Sequence, residues 1–460
     1  MNLVLASVLA YVAAQLWIGL AVSRRVTSEE DYLLAGRSLG PGLAVFSFFA
    51  TWFGAESCLG TAGAIYARGL SGGSSDPFGY ALCLILMGIV FAAPLWRRRL
   101  TTLADLFRDR YSPGVERLVV AITVPTSILW AAAQVRAFGQ VLDASSGVGV
   151  ELAIGFAAAV AIAYTMMGGL WADVATDFVQ GIVIVLGVVV VGAAVLHGVG
   201  GVGDAFRAID PARLTPLGEA EIPLLARIEA WAVPICGSIS AQELLARALA
   251  CRSARVARSS AILGGGLYLV MGIFPVLIGL LGPSLIPDLA DPEQIFPRVA
   301  QQVLPTWAYV IFLGALVSAI LSTVDSSLLA ASALVTHNLV LSLRPGLPER
   351  ARLSISRAGV AVAGVLAFGL AISADSIFEL VEGASAFGGA GVFAIFALGT
   401  FSRSGGAPSA YAALLSAMAV WALGSVAFDW SWPWLGSLFA ALAAYALAAV
   451  WSRRRSGARP

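Results

Sequence analysis

The stretch FSFFATWFGAESCLGTAGA, residues 46–64, is an apolar segment that small and polar residues interrupt near its middle, at Gly54, Glu56, Ser57 and Gly60. A second apolar segment, EAWAVPICGSISAQELLARAL at 229–249, is interrupted at the comparable place, by Pro234, Gly237, Ser238, Ser240 and Gln242. Either segment alone could be an ordinary kinked helix whose freed backbone groups find partners on neighbouring helices. Two interruptions at matching positions instead predict an inverted repeat, with a binding site between two discontinuous helices.

The composition around these segments is that of a membrane protein. Of the 460 residues, 59% are hydrophobic and 12% are charged, whereas a soluble domain carries about 25% charged residues. A net charge of +1 gives no basic excess that would favour nucleic acid. A helix needs roughly 20 apolar residues to cross the ~30 Å hydrocarbon core. This length predicts an all-α membrane protein with about thirteen spans, at 3–22, 40–64, 78–96, 117–142, 149–167, 174–199, 228–250, 257–282, 304–338, 354–373, 376–401, 407–428 and 433–452.

The interrupted segments are spans 2 and 7, and they divide the chain into two units. Residues 31–202, spans 2 to 6, would form the first repeat, and residues 203–403, spans 7 to 11, the second. Because five is odd, the two units would have opposite topology. Residues 1–30 add a peripheral first helix, and residues 404–460 add two peripheral helices and a short basic cytoplasmic tail. The prediction is a five-plus-five inverted-repeat core.

The basic residues predict the orientation. All 28 are arginines, and with the N-terminus outside 22 of them, Arg247 included, fall on the cytoplasmic side and five outside. This positive-inside bias predicts a cytoplasmic C-terminus in an inner or plasma membrane. Arg136 lies inside span 4, where a charge is costly and indicates a functional role. The alternative is that its side chain extends along the helix to the membrane interface.

A polar face follows span 9, ALVSAILSTVDSSLLAASALVTHN at 315–338, where polar and small residues recur at spacings of three and four, at Ala319, Ser322, Thr323 and Ser326. Adjacent hydroxyls with a carbonyl one turn earlier are hard oxygen ligands of the kind that an alkali cation requires. Carbonyls freed at the break in span 2 could complete the shell. The alternative is that the hydroxyls only permit close helix packing.

Two acids lie near this face, Asp325 beside it and Asp177 in span 6. Acids within membrane spans are typical of ion or proton paths. The alternative for Asp173 or Asp177 is a cap at the start of span 6, where the helix dipole favours an anion. Spacing alone leaves both open.

Four stretches together resemble the sodium/solute symporter family, which includes carriers of proline, pantothenate, sugars and sialic acid and the choline transporter. They are DYLLAGRSLG with FFATWFGAESCLGTAGAIYARGLSG, AYTMMGGLWADVATDFVQ, AQELLARALACRS and SAILSTVDSSLLAASALVTHNL, in order between residues 31 and 340. The resemblance is nearest to the choline and proline branches. It implies a LeuT-like fold, with one helix before the repeats and two after them.

The resemblance also implies ion sites. It puts a sodium ion, as the coupling ion, between the carbonyls of Ala50, Phe53 and Ala319 and the hydroxyls of Ser322 and Thr323. A second sodium site, known in some members, would use Asp177, Ser322 and Ser326, with Asp325 beside them. The residues of spans 2 and 9 predict that these two spans meet, and this agrees with the first sodium site.

The solute pocket is less defined, because family members share the sodium site and differ in the solute. Sequence around Trp52 and Trp130 is similar to the choline transporter, and two such rings could form part of a cation-π cage. Ala241 stands where that transporter carries a tryptophan, which argues against a full cage. The rings could equally stack on a sugar or pack together. Further substrate-binding residues are Glu56, Ser57, Tyr80, Gln134, Ser238 and Gln242, and an inward-facing Arg136 would favour a carboxylate.

These features predict a sodium-coupled symporter that imports a small polar organic solute, such as an amino acid or a quaternary amine, by alternating access. The alternatives are a transporter-like solute sensor and a proton-coupled carrier. An enzyme is not expected, because His197 and His337 are the only histidines and no HExxH or GxSxG motif is present. The expected partners are solute, sodium and the lipid bilayer, and no feature indicates an oligomeric state.

Overall fold

The computed structural model describes residues 3–24, 26–216, 222–344, 346–374 and 376–455. Over these ranges the chain is helical, and its one extended contact is an isolated bridge between Leu39 and Cys251. The all-α prediction is thus confirmed for this part of the chain. Residues 456–460 of the expected basic tail lie outside it.

Twenty α-helices, numbered in chain order, make up these ranges. They are α1 (Leu3–Ser23), α2 (Glu29–Leu34), α3 (Pro41–Ala50), α4 (Thr61–Arg68), α5 (Tyr80–Leu86), α6 (Ala92–Arg97), α7 (Leu103–Arg110), α8 (Pro113–Ser146), α9 (Val150–Gly198), α10 (Val202–Ala208), α11 (Leu224–Ala232), α12 (Gln242–Ala250), α13 (Ala254–Leu285), α14 (Ile295–Val303), α15 (Thr306–Val335), α16 (Glu349–Ser373), α17 (Ile377–Ala386), α18 (Gly389–Phe401), α19 (Ala407–Ala422) and α20 (Pro433–Arg455). Wider π-helical turns occur at Glu56–Gly60, Ser74–Gly79, Met87–Phe91, Val233–Gly237, Thr336–Leu341 and Leu423–Ala427.

The long helices are those of a multi-pass membrane protein. In the described ranges eight helices are long and apolar enough to cross a bilayer, or nine when the bent pair Leu224–Ser240 and Gln242–Ala250 is taken as one span. Shorter apolar helices occur at Leu9–Ser23, Pro41–Ala50 and Gly389–Phe401. The count of thirteen spans and the division into two repeats stay predictions.

Helix α9 joins two predicted spans. Its 49 residues would extend about 74 Å at 1.5 Å per residue, more than twice the hydrocarbon thickness. Gly169, with φ 53° and ψ −151°, breaks it into helices 150–168 and 170–198. A Cβ atom there would lie 2.5 Å from the Tyr32 carbonyl oxygen. The loop expected at 168–173 is therefore reduced to a single glycine.

The first discontinuous helix is present where the sequence predicts it. Helix α3 ends at Ala50, residues 51–54 form turns and bends, and a π-turn leads into α4. Within the break the Gly54 N–H bonds to the Trp52 carbonyl at 3.0 Å, and the Ala55 N–H donates to Gln134 Oε1 at 3.1 Å. A side chain of α8 thus supplies a partner that the broken helix lacks.

The second discontinuous helix consists of α11, the π-turn Val233–Gly237, the 3₁₀ turn Ser238–Ser240 and α12, and it bends by 50°. Ala241 is extended, with φ −67° and ψ 135°. Pro234 has no N–H to continue the helix, and a Cβ on Gly237 would lie 2.6 Å from the Ser385 carbonyl oxygen. A further interruption, not predicted, separates α17 from α18 inside the expected span 376–401.

Helix α15 lies against both α8 and α9, and α3 lies against α9 and α13. The two breaks and the polar face of α15 therefore meet inside the protein. Large buried aromatic side chains surround this centre with apolar packing, among them Phe48, Phe49, Phe53 and Phe312.

A polar network at the start of α7 joins this helix to the end of α15. The Asn338 side chain donates to Asp105 Oδ1 at 3.0 Å and accepts from the Thr102 hydroxyl at 2.7 Å. Burial raises the pKa of the Asp105 carboxyl, but the His337 ring, 3.6 Å away, and the N–H groups of Thr102 and Thr101 outweigh burial and lower that pKa to about 2. Asp105 is therefore a charged anchor of this network.

Candidate functional site

The break after α3 meets the polar face of α15. The Thr323 hydroxyl lies 3.2 Å from the Ala319 carbonyl oxygen and 3.5 Å from the Ala50 carbonyl oxygen, and the Ser322 hydroxyl lies 3.3 Å from that same Ala50 oxygen. All four residues are buried. Four of the five predicted sodium ligands are thus brought together, and Phe53, the fifth, is buried in the same break.

This junction is close-packed at Gly54. A Cβ atom on Gly54 would lie 2.7 Å from Thr323 Oγ1 and 2.9 Å from Gln134 Oε1. Gln134, predicted to bind substrate, instead accepts the N–H of Ala55 and holds the break against α8. Glycine is required here by close approach rather than by backbone conformation.

Asp177 lies directly beside the junction. Its carboxylate accepts hydrogen bonds from the Ser322 hydroxyl and, at 2.6 Å, from the Ser47 hydroxyl. The alternative that Asp177 caps span 6 is therefore wrong, because both oxygens face α3 and α15. The carboxyl group of Asp177 thus lies adjacent to the hydroxyl that would contact sodium.

Arg247 occupies the neighbouring region. Its guanidinium donates to the Asp173 carboxylate and to the Ser326 hydroxyl, and lies 3.6 Å from Asp177 Oδ2. Asp173 consequently forms a buried ion pair rather than a helix cap. Asp325, the other predicted ligand of a second ion, accepts from the Thr165 hydroxyl at 2.7 Å. The residues predicted for a second sodium are thus arranged around a positive side chain of the protein itself.

Arg247 was expected at the cytoplasmic surface, yet it is 1% exposed. Arg247 follows the bend of the second discontinuous helix and is buried inside the protein, and its assignment to the cytoplasmic side stays a prediction. The apolar residues on both sides, LLARALAC at 244–251, are the signal that indicates burial.

A cavity lies next to the junction. Trp52 and Trp130 line it, with ring centroids 6.1 Å apart, and Ser238 lines it as predicted. The Tyr80 ring packs against both indoles, with its centroid 5.4 Å from that of Trp52 and 5.7 Å from that of Trp130. The Tyr80 hydroxyl lies 3.1 Å from the hydroxyl of Ser385, which lines the cavity.

Three other predicted substrate residues do not line the cavity. Gln242 accepts the N–H of Leu103 at 2.6 Å and stabilises the start of α7. The Ser57 hydroxyl pairs with the Tyr268 hydroxyl at 2.8 Å. Glu56 is buried in the π-turn after the break. All three support the broken helices rather than the cavity wall.

Arg136 does not line the cavity either. Its Nη1 donates to the carbonyl of Ala371, near the end of α16, at 3.2 Å. This contact places the guanidinium towards the end of its span, as the alternative of an extended side chain requires. The structure therefore gives no support to recognition of a substrate carboxylate by Arg136.

The prediction missed much of the cavity wall. The lining residues that it did not name as substrate-binding are Thr51, Ile122, Thr123, Thr126, Ser127, Gly237, Ser240, Ala241, Glu243, Ser327, Ala384, Ser385, Phe387, Gly388, Gly389 and Val392. Many of them carry hydroxyl groups, and one carries a carboxylate. The wall can therefore hydrogen-bond a polar solute as well as pack against it.

Comparisons with known proteins identify the family. The model of the Sodium:solute symporter family matches residues 32–416. The chain is 29% identical to High-affinity choline transporter 1 of Caenorhabditis elegans, over 77% of this chain and 64% of that protein. It is 30% identical to the Homo sapiens high affinity choline transporter 1, over 76% and 63%, and 29% identical to the Escherichia coli sodium/pantothenate symporter, over 71% and 69%. The chain thus spans less than two thirds of the choline transporters it matches.

Solved structures share the fold. A Na+-coupled sialic acid symporter in its substrate-bound outward-open state superposes with a TM-score of 0.86 at 19% identity, covering 97% of both chains. The nucleobase-cation-symport-1 family transporter Mhp1 superposes with a TM-score of 0.63 at 14% identity, covering 92% of this chain and 94% of that one. The family model covers most of the chain, and the relatives are membrane transporters rather than enzymes. This chain belongs to the sodium:solute symporter family.

Proposed function

We propose that the protein imports a small polar organic solute by coupling its movement to that of sodium. The observation that carries this proposal is the junction of four oxygens, from Ala50, Ala319, Ser322 and Thr323, beside a hydroxyl-rich cavity. Carbonyl and hydroxyl oxygens are the ligands that a hard cation prefers. The adjacent Asp177 carboxylate supplies charge compensation through Ser322.

Coupling follows from a shared segment. The break after α3 contributes the Ala50 carbonyl to the sodium junction, and the next two residues, Thr51 and Trp52, line the cavity. A sodium ion that orders this break also orders one wall of the solute site. Because linkage is reciprocal, bound solute would raise sodium affinity by the same factor. Sodium would thereby stabilise the outward-open arrangement, and the ions and solute would leave together on the inner side.

The arrangement around Arg247 supports one sodium ion per cycle. Its guanidinium contacts Ser326 and lies 3.6 Å from Asp177 Oδ2, so a positive charge is already present where a second ion would bind. A like charge close by disfavours a further cation. The N-terminus outside, the cytoplasmic C-terminus and the inverted repeats 31–202 and 203–403 complete the proposed architecture.

The test is sodium-dependent uptake by the purified protein in proteoliposomes. A thermal-shift screen of a solute library, with and without sodium, first identifies a solute that stabilises the protein only with sodium. Thr323→Ala and Asp177→Ala should then each weaken sodium-driven uptake of that solute. Ser332→Ala is the matched control, because its buried hydroxyl on the same helix bonds to the Ser356 carbonyl, away from the junction.

The possible results separate the competing functions. Unchanged sodium dependence in both junction variants would refute the sodium site. Solute binding without flux would favour the sensor, and uptake driven by a pH gradient in sodium-free buffer would favour the proton-coupled carrier.

A further inference from the structure

The cavity wall carries one acidic side chain, that of Glu243. It is 7% exposed, and its Oε1 atom has no hydrogen-bond partner. The described residues that line the cavity include no arginine or histidine. A buried carboxylate without a full set of donors is costly unless a partner arrives. The missing partner is therefore expected from the solute.

The nearest arginine along the helix does not provide it. Arg247 follows one turn after Glu243 on α12, but its guanidinium donates to Asp173 and Ser326 and lies near Asp177. The guanidinium hydrogen bonds of Arg247 therefore go to Asp173 and Ser326, and Glu243 interacts with Arg247 through charge.

Two aromatic rings share the cavity with Glu243. Trp52 and Trp130 both line it, and their ring planes differ by 32°. Indole is the aromatic side chain that attracts cations most strongly. Ala241, also in the wall, adds only a methyl group, so the aromatic contribution stays partial. A carboxylate and two indoles together favour a positively charged group.

The kind of cation follows from the carboxylate. A quaternary ammonium has no N–H and gains only the Coulomb and cation-π attraction. A primary or secondary ammonium, or a guanidinium, also donates a charge-assisted hydrogen bond, which is about twice as strong as a neutral one. Hydroxyls from Ser127, Ser240 and Ser385 in the same wall can bond the polar remainder of such a molecule.

We propose that the transported solute is a small organic cation with at least one N–H on its charged nitrogen, which binds the carboxylate of Glu243 beside Trp52 and Trp130. This inference rests on the proposed sodium-coupled import and names the class of solute that it carries. It differs from an aromatic cage for a quaternary amine, because the hydrogen bond to Glu243 is its main element.

The experiment uses the full chain in detergent with saturating sodium, and measures thermal stabilisation by a library of small solutes. The library includes a matched series in which only the nitrogen changes, from ethanolamine through dimethylethanolamine to choline, with neutral and anionic compounds of similar size. Stabilising solutes should be cations with N–H groups. Stabilisation led by quaternary, neutral or anionic solutes, or by no amine at all, would overturn the proposal.

Variants then assign the contact. Glu243→Gln should weaken binding of the stabilising cation roughly tenfold or more, while Glu243→Asp should retain part of it. Glu151→Gln, a change of the same kind at an exposed position, should leave it unchanged. Wild-type affinity in Glu243→Gln would contradict the assignment. Sodium alone should still stabilise the Glu243→Gln variant. If sodium alone does not stabilise the wild-type protein, that result would instead refute the proposed sodium coupling.

Discussion

Gly54→Ala should weaken sodium binding although it removes none of the proposed ligand atoms. The added Cβ would lie 2.7 Å from Thr323 Oγ1 and 2.9 Å from Gln134 Oε1, whereas ordinary contacts begin at 3.4 Å. The two oxygens would have to retreat by about 0.7 and 0.5 Å. Neither moves freely, because Thr323 is β-branched on a helix and Gln134 holds the Ala55 N–H.

The size of the effect follows from these distances. Overpacking of a tight site costs ~1–3 kcal/mol, and metal ligands tolerate displacements of only about 0.2 Å. If the strain is expressed in the sodium-bound state, the sodium Kd should rise roughly 5- to 150-fold. Binding of ²²Na⁺ to the purified protein, or a sodium titration of its thermal stability, measures this change.

Gly266→Ala is the matched control, since a Cβ on Gly266 has no atom within 4 Å outside its own helix backbone. It should keep the sodium affinity of the wild type. A folded Gly54→Ala protein with wild-type sodium affinity would refute the assignment of the junction. Should Gly54→Ala fail to fold, the double variant Gly54→Ala/Gln134→Ala removes one of the two close oxygens and permits the same titration.

Two further predictions concern stability. Arg247→Met should lower the free energy of unfolding by about 3–5 kcal/mol, because it leaves Asp173 buried and unpaired. In thermal denaturation, the double variant Arg247→Met/Asp173→Asn should recover part of this loss. No recovery would contradict this account of the ion pair. In the folded protein the pKa of Asp105 is lowered from its ordinary value of 3.8 to about 2. The ionised Asp105 carboxylate therefore stabilises the folded protein by ~2 kcal/mol above pH 4, and this stabilisation is lost as the pH falls towards 2. Asp105→Asn should therefore reduce stability at pH 7 and flatten its decline between pH 4 and 2, and an unchanged pH profile would argue against the network.

The sodium junction was accessible from the sequence because its signals are local. The glycine and polar residues around Gly54 predict the break in the helix, and the adjacent hydroxyls of Ser322 and Thr323 lie on one helical face. Each signal needs only the periodicity of a single helix. Their pairing required the further idea of matched broken helices, and the family resemblance supplied the carbonyl ligands. The structure brings the hydroxyls of Ser322 and Thr323 within 3.5 Å of the Ala50 carbonyl oxygen.

The cavity wall was less accessible because several distant segments build it. Gln242 and Glu243 show the difficulty. They are neighbours on α12, but the first contacts the α7 backbone and the second lines the cavity. Which residue faces inward depends on the rotation of α12, and the extended Ala241 after a 3₁₀ turn sets that rotation. No periodic pattern in a nine-residue helix encodes it.

Arg247 and Gly169 show a similar limit. Span prediction assigns a charge near a helix end to the interface, and it assigns polar residues between two apolar runs to a loop. Here the bend of 50° at the second broken helix returns Arg247 to the interior, where buried Asp173 compensates it. A single glycine with positive φ replaces the loop. Both features depend on tertiary contacts.

The proposed contact between Glu243 and a cationic solute has an electrical consequence for the proposed import. The carboxylate belongs to the protein and remains with it, so a turnover that delivers one sodium ion and one ammonium-bearing solute moves two positive charges inward. A membrane potential of 100 mV contributes ~2.3 kcal/mol for each charge. Together they amount to ~4.6 kcal/mol, enough to concentrate the solute by roughly three orders of magnitude. Voltage alone would thus sustain accumulation even where the sodium gradient is shallow.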